Sequence, residues 1–171
     1  MKNIDWNSVE EAQEYKSLPA GGYICEITAA EDVEEKEYLR LEYDIQRGDF
    51  AGYWRNLYEN KGFWGGHFIR SYKETARGFF KAFITALQES NPGYTFNNDE
   101  RSLVGKAVGL VLYEEEYLKN DGSVGTRLTV DRPRSVKAIL SGDFKVPDKK
   151  VLAGSKTPEF TPIDDDDVPF K

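Results

Sequence analysis

Period-two alternation runs through the first part of the chain. In "GYICEITAA" Tyr23, Cys25, Ile27 and Ala29 alternate with Ile24, Glu26 and Thr28. In the next run Leu39, Leu41, Tyr43 and Ile45 face one way while Arg40, Glu42, Asp44 and Gln46 face the other. These patterns predict two strands, the second with one wet side. The acidic stretch "EDVEEKE" between them has no apolar period and reads as a solvated hairpin end. "FAGYWRNLYEN", bounded by Gly48 and Gly62 and rich in β-favouring aromatics, predicts a third strand, with Trp54 and Tyr58 on one face opposite Tyr53, Arg55 and Leu57. From Phe68 the spacing becomes helical. Phe68, Tyr72, Ala76, Phe79, Phe80, Phe83, Ile84 and Leu87 build one apolar face, and "SNPG" stops the helix at Ser90. Gly78 inside this helix costs about 1 kcal/mol relative to alanine, which suggests close packing there.

Further on, "KAVGLVLYEEEYL" is apolar on both faces at its start, as a strand passing through a closed sheet would be. "NDGSVG" supplies a turn, and "TRLTVDRPRSVKAIL" gives a fifth strand that Pro133 limits. Near the N-terminus, Ser8 and Glu11 have capping-box spacing, which predicts a short helix through about Tyr15 before "LPAGG" ends it. The order is β-β-β-α-β-β, that of a mainly β, five-stranded OB-type barrel with one or two helices. A split sheet with one covering helix is the competing arrangement. From Ser141 the pattern fades into "SGDFKVPDKKVLAGSKTPEFTPI", with three prolines and no period, so residues 1–140 are expected to form the domain and 141–171 a flexible, disordered acidic tail.

A length of 171 residues suits one domain with a real core, and a net charge of −7 argues against a generally basic nucleic-acid coat without excluding a local basic groove. The single cysteine, Cys25, allows no internal disulfide and suits a reducing compartment. No apolar run approaches the roughly 18 residues of a membrane span, and the first residues lack a signal-peptide core; the expectation is a cytoplasmic protein with no membrane partner. Enzyme signals are poor. One histidine, His67, and one cysteine supply neither a zinc site nor a Cys/His pair, so no catalytic residue, metal or cofactor is expected.

The binding signal is local. Between Arg47 and Lys73 the cations Arg47, Arg55, Lys61, Arg70 and Lys73 meet only Asp49 and Glu59, and aromatics are interleaved with them. Cations neutralise phosphates while exposed rings stack on bases, the mixture that holds single strands. Trp54, Tyr58, Phe63 and Trp64 are the stacking candidates, although a small barrel also needs aromatics in its core; Arg55, Lys61, Arg70, Lys73 and Arg127 are the phosphate candidates, with Arg132 and Arg134 extending the basic set.

The last residues, "DDDDVPFK", place an aliphatic residue, proline and phenylalanine after four aspartates. This tip resembles that of bacterial and phage single-stranded-DNA-binding proteins. The body, through "NSVEEAQEYKSLPAGGYICEIT", "DIQRGDFAGY" and "LVGKAVGLVLYEE", resembles small phage replication and recombination proteins. The resemblance implies an OB-fold that coats single-stranded DNA and a tip that recruits replication, recombination or repair proteins. In that role Phe170 is the anchor, Val168 and Pro169 its stiff neighbours, and Asp164, Asp165, Asp166 and Asp167 the electrostatic guide. In the bacterial proteins phenylalanine usually comes last, whereas here Lys171 follows it. Barrel-based binders occur as monomers, dimers or tetramers, so a homo-oligomer stays open. The alternative from the net charge is an acidic DNA-mimicking protein that inhibits a nucleic-acid enzyme.

Overall fold

The computed structural model describes residues 1–11 and 17–152. Five antiparallel strands form one open sheet: β1 (Gly21–Val33), β2 (Tyr38–Ile45), β3 (His67–Ser71), β4 (Ala107–Leu118) and β5 (Val124–Val130), in the order β3-β2-β1-β4-β5. Helix α1 (Tyr53–Lys61) lies between β2 and β3, α2 (Arg77–Ser90) between β3 and β4, and α3 (Val136–Ser141) follows β5. Among the described residues no helix is long and apolar enough to cross a membrane.

The alternation in β2 holds except at Asp44: Leu39, Leu41, Tyr43 and Ile45 are buried and Arg40 and Gln46 exposed, whereas Asp44, expected on the wet face, is buried. The acidic stretch is the tip of the β1–β2 hairpin, with a single helical turn at Glu34–Lys36. In β4, Ala107 to Leu112 are buried on both faces. One face joins the main core, and on the other Ala107 joins Ile24, Val136 and Ile139. A bulge in β1 between Ile27 and Ala29 shifts its register against β2. Bulges bend a sheet and increase its twist. Here the two edge strands, β3 and β5, come to line a common groove.

Two expected elements are corrected. The third strand expected over "FAGYWRNLYEN" is instead α1. Trp54 and Leu57, three residues apart, turn inward together, and Gly52 and Gly62, both with positive φ, bracket the helix. The helix C-terminus closes with the Gly62 N–H donating to the Tyr58 carbonyl, a common use of glycine after a last turn. Its N-terminus is capped from a distance by the buried Asp44, whose carboxylate accepts from the N–H groups of Trp54 (2.9 Å) and Arg55 (3.2 Å), and also from Ile45 (2.8 Å). The expected helix from Phe68 starts later, at Arg77. Residues 67–71 are β3, where Phe68 is buried and Ile69 exposed, as on a short edge strand. The helix does end at Ser90, and Phe80, Phe83 and Leu87 form its inner stripe. Gly78 is not a packing glycine: a Cβ there would meet nothing within 4 Å.

The core is a chain of rings meeting edge to face. Tyr23 touches Phe50, Phe50 touches Tyr53, Tyr53 touches Trp54, and Trp54 touches Tyr43, which leads through Phe68 to Phe83. Such pairs add about 0.5–1.5 kcal/mol each beyond their burial.

At the N-terminus, Asp5 caps a single turn at Trp6–Ser8, and residues 9–11 are not helical; the rest of the helix expected there falls on residues 12–16, outside the described residues. Of the stretch expected as tail, residues 141–152 are described. Phe144 packs over Gly22, and Lys150 exchanges backbone hydrogen bonds with Glu114 and Glu116 along the stretch of β4 that β1 leaves unpaired. The tip from Asp164 to Phe170 lies outside the described residues.

Candidate nucleic-acid interface

The groove between the sheet edges has a volume of about 770 Å³. From the β3 side come His67, Phe68, Ile69 and Arg70, from the β5 side Thr126 to Val130, and Phe63 and Gly65 enter from the loop after α1. Buried Trp54, Leu57 and Phe68 give it an apolar lining, whereas Phe63 (56% exposed) and Ile69 (54%) stand open to solvent.

Arg70 ties the two edges together. Its Nη2 donates to the Asp131 carbonyl just past β5 (2.8 Å), and its guanidinium sits 5.6 Å from the centre of the Phe68 ring. Burial lowers its pKa, with the Asp131 charge opposing the shift, and its Nε is buried without a partner. Arginine keeps its charge through such shifts, so the groove holds one fixed, partly desolvated cation.

Arg127 supplies the second cation, on the opposite wall. It lies 4.9 Å from the centre of the Tyr117 ring and its Nε pairs with Glu115 at 3.3 Å. Glu115 is the counterweight in the groove. The Thr129 hydroxyl donates to it at 2.9 Å, and this bond, with help from Arg127 and Lys150, holds its carboxyl below the usual carboxylate range. A phosphate entering here competes with Glu115 for Arg127.

Of the residues expected from sequence, the groove gathers Trp54, Phe63, Arg70 and Arg127. Tyr58 and Trp64 stand beside it as a tilted ring pair 6.3 Å apart, Tyr58 being 52% exposed and Trp64 half-buried with its Nε1 donating to the Gly66 carbonyl. Arg55, Lys61 and Lys73 are exposed but do not line the groove. Trp54 is a correction. At 8% exposure, between Tyr43 and Tyr53, its ring belongs to the core and cannot offer a face to a base. Helical geometry explains this, because the residue taken as one end of a strand face lies on the inner side of α1. No family model and no curated protein matches the chain.

Sequence reasoning passed over Ile69, Thr126, Leu128 and Thr129. Ile69 carried a readable signal as an apolar residue out of phase with Phe68. The others are ordinary strand residues, made part of the groove only by the curl of the sheet. Among the described residues no group of three His, Cys, Asp or Glu side chains is placed to hold a metal ion.

Proposed function

We propose that this chain binds single-stranded DNA in the β3–β5 groove of a sheet that closes as an OB-type barrel, and that it serves phage or prophage replication or recombination. The observation that carries the reading is that the two sheet edges meet at one groove, with exposed Phe63 on one wall and Arg70 and Arg127 on either side. Phe63, with Tyr58 and Trp64 at the rim, offers stacking surfaces, while the two arginines meet phosphates. The strand order β3-β2-β1-β4-β5 and the helix between the third and fourth strands support the OB-type assignment. The chemistry is binding without turnover. In the same reading the segment Asp164–Phe170 recruits partner proteins, its aromatic anchor supplying short-range affinity and its aspartates steering the encounter.

Titration with oligo(dT) at low and high salt tests the proposal. Saturable binding that weakens steeply with salt is expected; no binding, or binding indifferent to salt, removes it. Glu115→Gln sharpens the test, because freeing Arg127 from its carboxylate should raise affinity. The rival reading draws on the β1–β2 hairpin tip, where Glu31, Asp32, Glu34, Glu35 and Glu37 are all exposed. An acidic DNA mimic would bind no oligonucleotide and would inhibit a nucleic-acid enzyme stoichiometrically.

A further inference from the structure

Beyond the groove, on the far side of Arg70, lies a second and smaller cleft of about 220 Å³, lined by Arg70, Phe79, Ala82, Arg132, Pro133 and Arg134. Arg70 lines both cavities, so the two are neighbours across one side chain. Chain connectivity joins them as well: β5 lines the groove through Val130, and the turn Asp131 to Arg134 continues directly into the second cleft.

Two features of this cleft, and one beside it, lack a role in folding. Phe79 is 61% exposed on α2, whose inner stripe of Phe80, Phe83 and Leu87 is already complete without it. The Arg132 side chain is exposed and makes no hydrogen bond or ion pair among the described residues. Gly78, next to Phe79, faces open space where alanine would favour the helix. Arg134 is different. Its guanidinium lies 3.8 Å from the Asp131 carboxylate and donates to the Arg132 carbonyl, so it fixes the turn. With Asp131 offset by Arg134, the net charge left at the cleft comes from Arg70 and Arg132. An exposed ring beside unpaired guanidinium charge is suited to a base and its phosphate.

Resting on the single-strand reading above, we infer that a strand held in the β3–β5 groove continues past Arg70 to a second station, where Phe79 stacks on a base and Arg132 takes a phosphate. The cleft thereby lengthens the binding site from the sheet edges onto α2. It contributes only to strands long enough to span both cavities.

The experiment uses the full chain with oligo(dT) of about 4 and about 12 nucleotides, both within the range of site sizes seen for single barrels. Phe79→Ala should leave the short oligomer's affinity unchanged and weaken the long one about tenfold. Arg132→Ala should lower the salt slope for the long oligomer alone, by about one phosphate. Phe79→Trp places a reporter at the station, and its fluorescence should be quenched by the long oligomer and not by the short. Both positions are exposed, so unchanged thermal melts should accompany these effects. Wild-type binding with all variants indistinguishable, or equal losses for both lengths, overturns the second station while leaving the groove reading in place. Failure of the wild type to bind either oligomer ends both.

Discussion

On the inner side of α1, Trp54 and Leu57 are 8% and 7% exposed; around the helix, Tyr58 is 52% exposed and Arg55 and Lys61 reach solvent. Just beyond the C-terminus of the helix, Phe63 is as open as Tyr58. The residue types on the two sides are alike, aromatic and cationic, yet their surroundings differ. Inside, the backbone around Trp54 is held by fixed partners, with Asp44 accepting at the helix N-terminus and the Tyr43 N–H donating to the Gly66 carbonyl. Outside, rings and charges have few partners of their own. Aromatic content alone therefore does not mark a binding surface; what marks it is aromatic surface the core does not use.

The sharpest way to break this contrast is at Asp44. Its carboxylate accepts three backbone N–H groups in a buried site. Removing it leaves donors unpaired at the α1 N-terminus, and hydrogen bonds to charged groups contribute about 1.5–3 kcal/mol. Asp44→Ala should cost about 3 kcal/mol in urea denaturation. A loss below about 0.5 kcal/mol, the range of ordinary surface changes, would mean that α1 does not depend on this cap.

Gly66→Ala should come next. A Cβ there would lie 2.4 Å from the Tyr43 carbonyl oxygen and 2.6 Å from the Trp54 ring. The backbone on one side and a packed indole on the other leave little room to shift, so overpacking should cost about 2 kcal/mol by the same measurement. Because Gly66 stands between Gly65 and His67, which both line the groove, this variant should also bind oligo(dT) less well.

Strands β1, β2, β4 and β5 are legible in the sequence because each combines a pattern of burial with a turn at its end. Helix α1 is hidden for two reasons. Its aromatics favour strands, and its cap is Asp44, which looks in sequence like one more residue on the wet face of β2. Gly52 and Gly62 were the available clue. Edge strand β3 is hidden because it has only five residues and Phe68 happens to fall in phase with the apolar stripe of α2. Site chemistry was partly legible: Phe63, Arg70 and Arg127 stand out by type. Their meeting was not, since it depends on contacts such as Arg70 to Asp131, 61 positions apart, across a curled sheet.

A smaller effect should appear at alkaline pH on the inner side. Tyr23, ring to ring with Phe50, donates its hydroxyl to the Pro19 carbonyl. Burial, followed by the charges of Cys25 and Tyr53, raises its pKa from 10.0 to about 12. The folded chain thus holds this proton longer than the unfolded chain. Its share of stability is whole below pH 10.0 and is lost as pH climbs through about 12. Melting temperature should fall across that window, and tyrosinate absorbance should show a late-ionising fraction that moves to the ordinary range in denaturant. A native titration with every tyrosine ionising near pH 10.0 would contradict the packing assigned to Tyr23.

The smallest stability effect, and the most telling for function, belongs to the outer side. Phe63 is 56% exposed, so Phe63→Ala forfeits little packing and should change folding stability by no more than about 0.5 kcal/mol. If the ring stacks on a base, the same change should cost roughly 1–3 kcal/mol in oligo(dT) affinity. Tyr58→Ala, at a similar exposure but beside the groove rather than in it, should also spare the fold and should weaken binding less. A Phe63→Ala protein that loses stability and binding in equal measure would show that the ring is part of the core after all, and the two sides of α1 would no longer differ in kind.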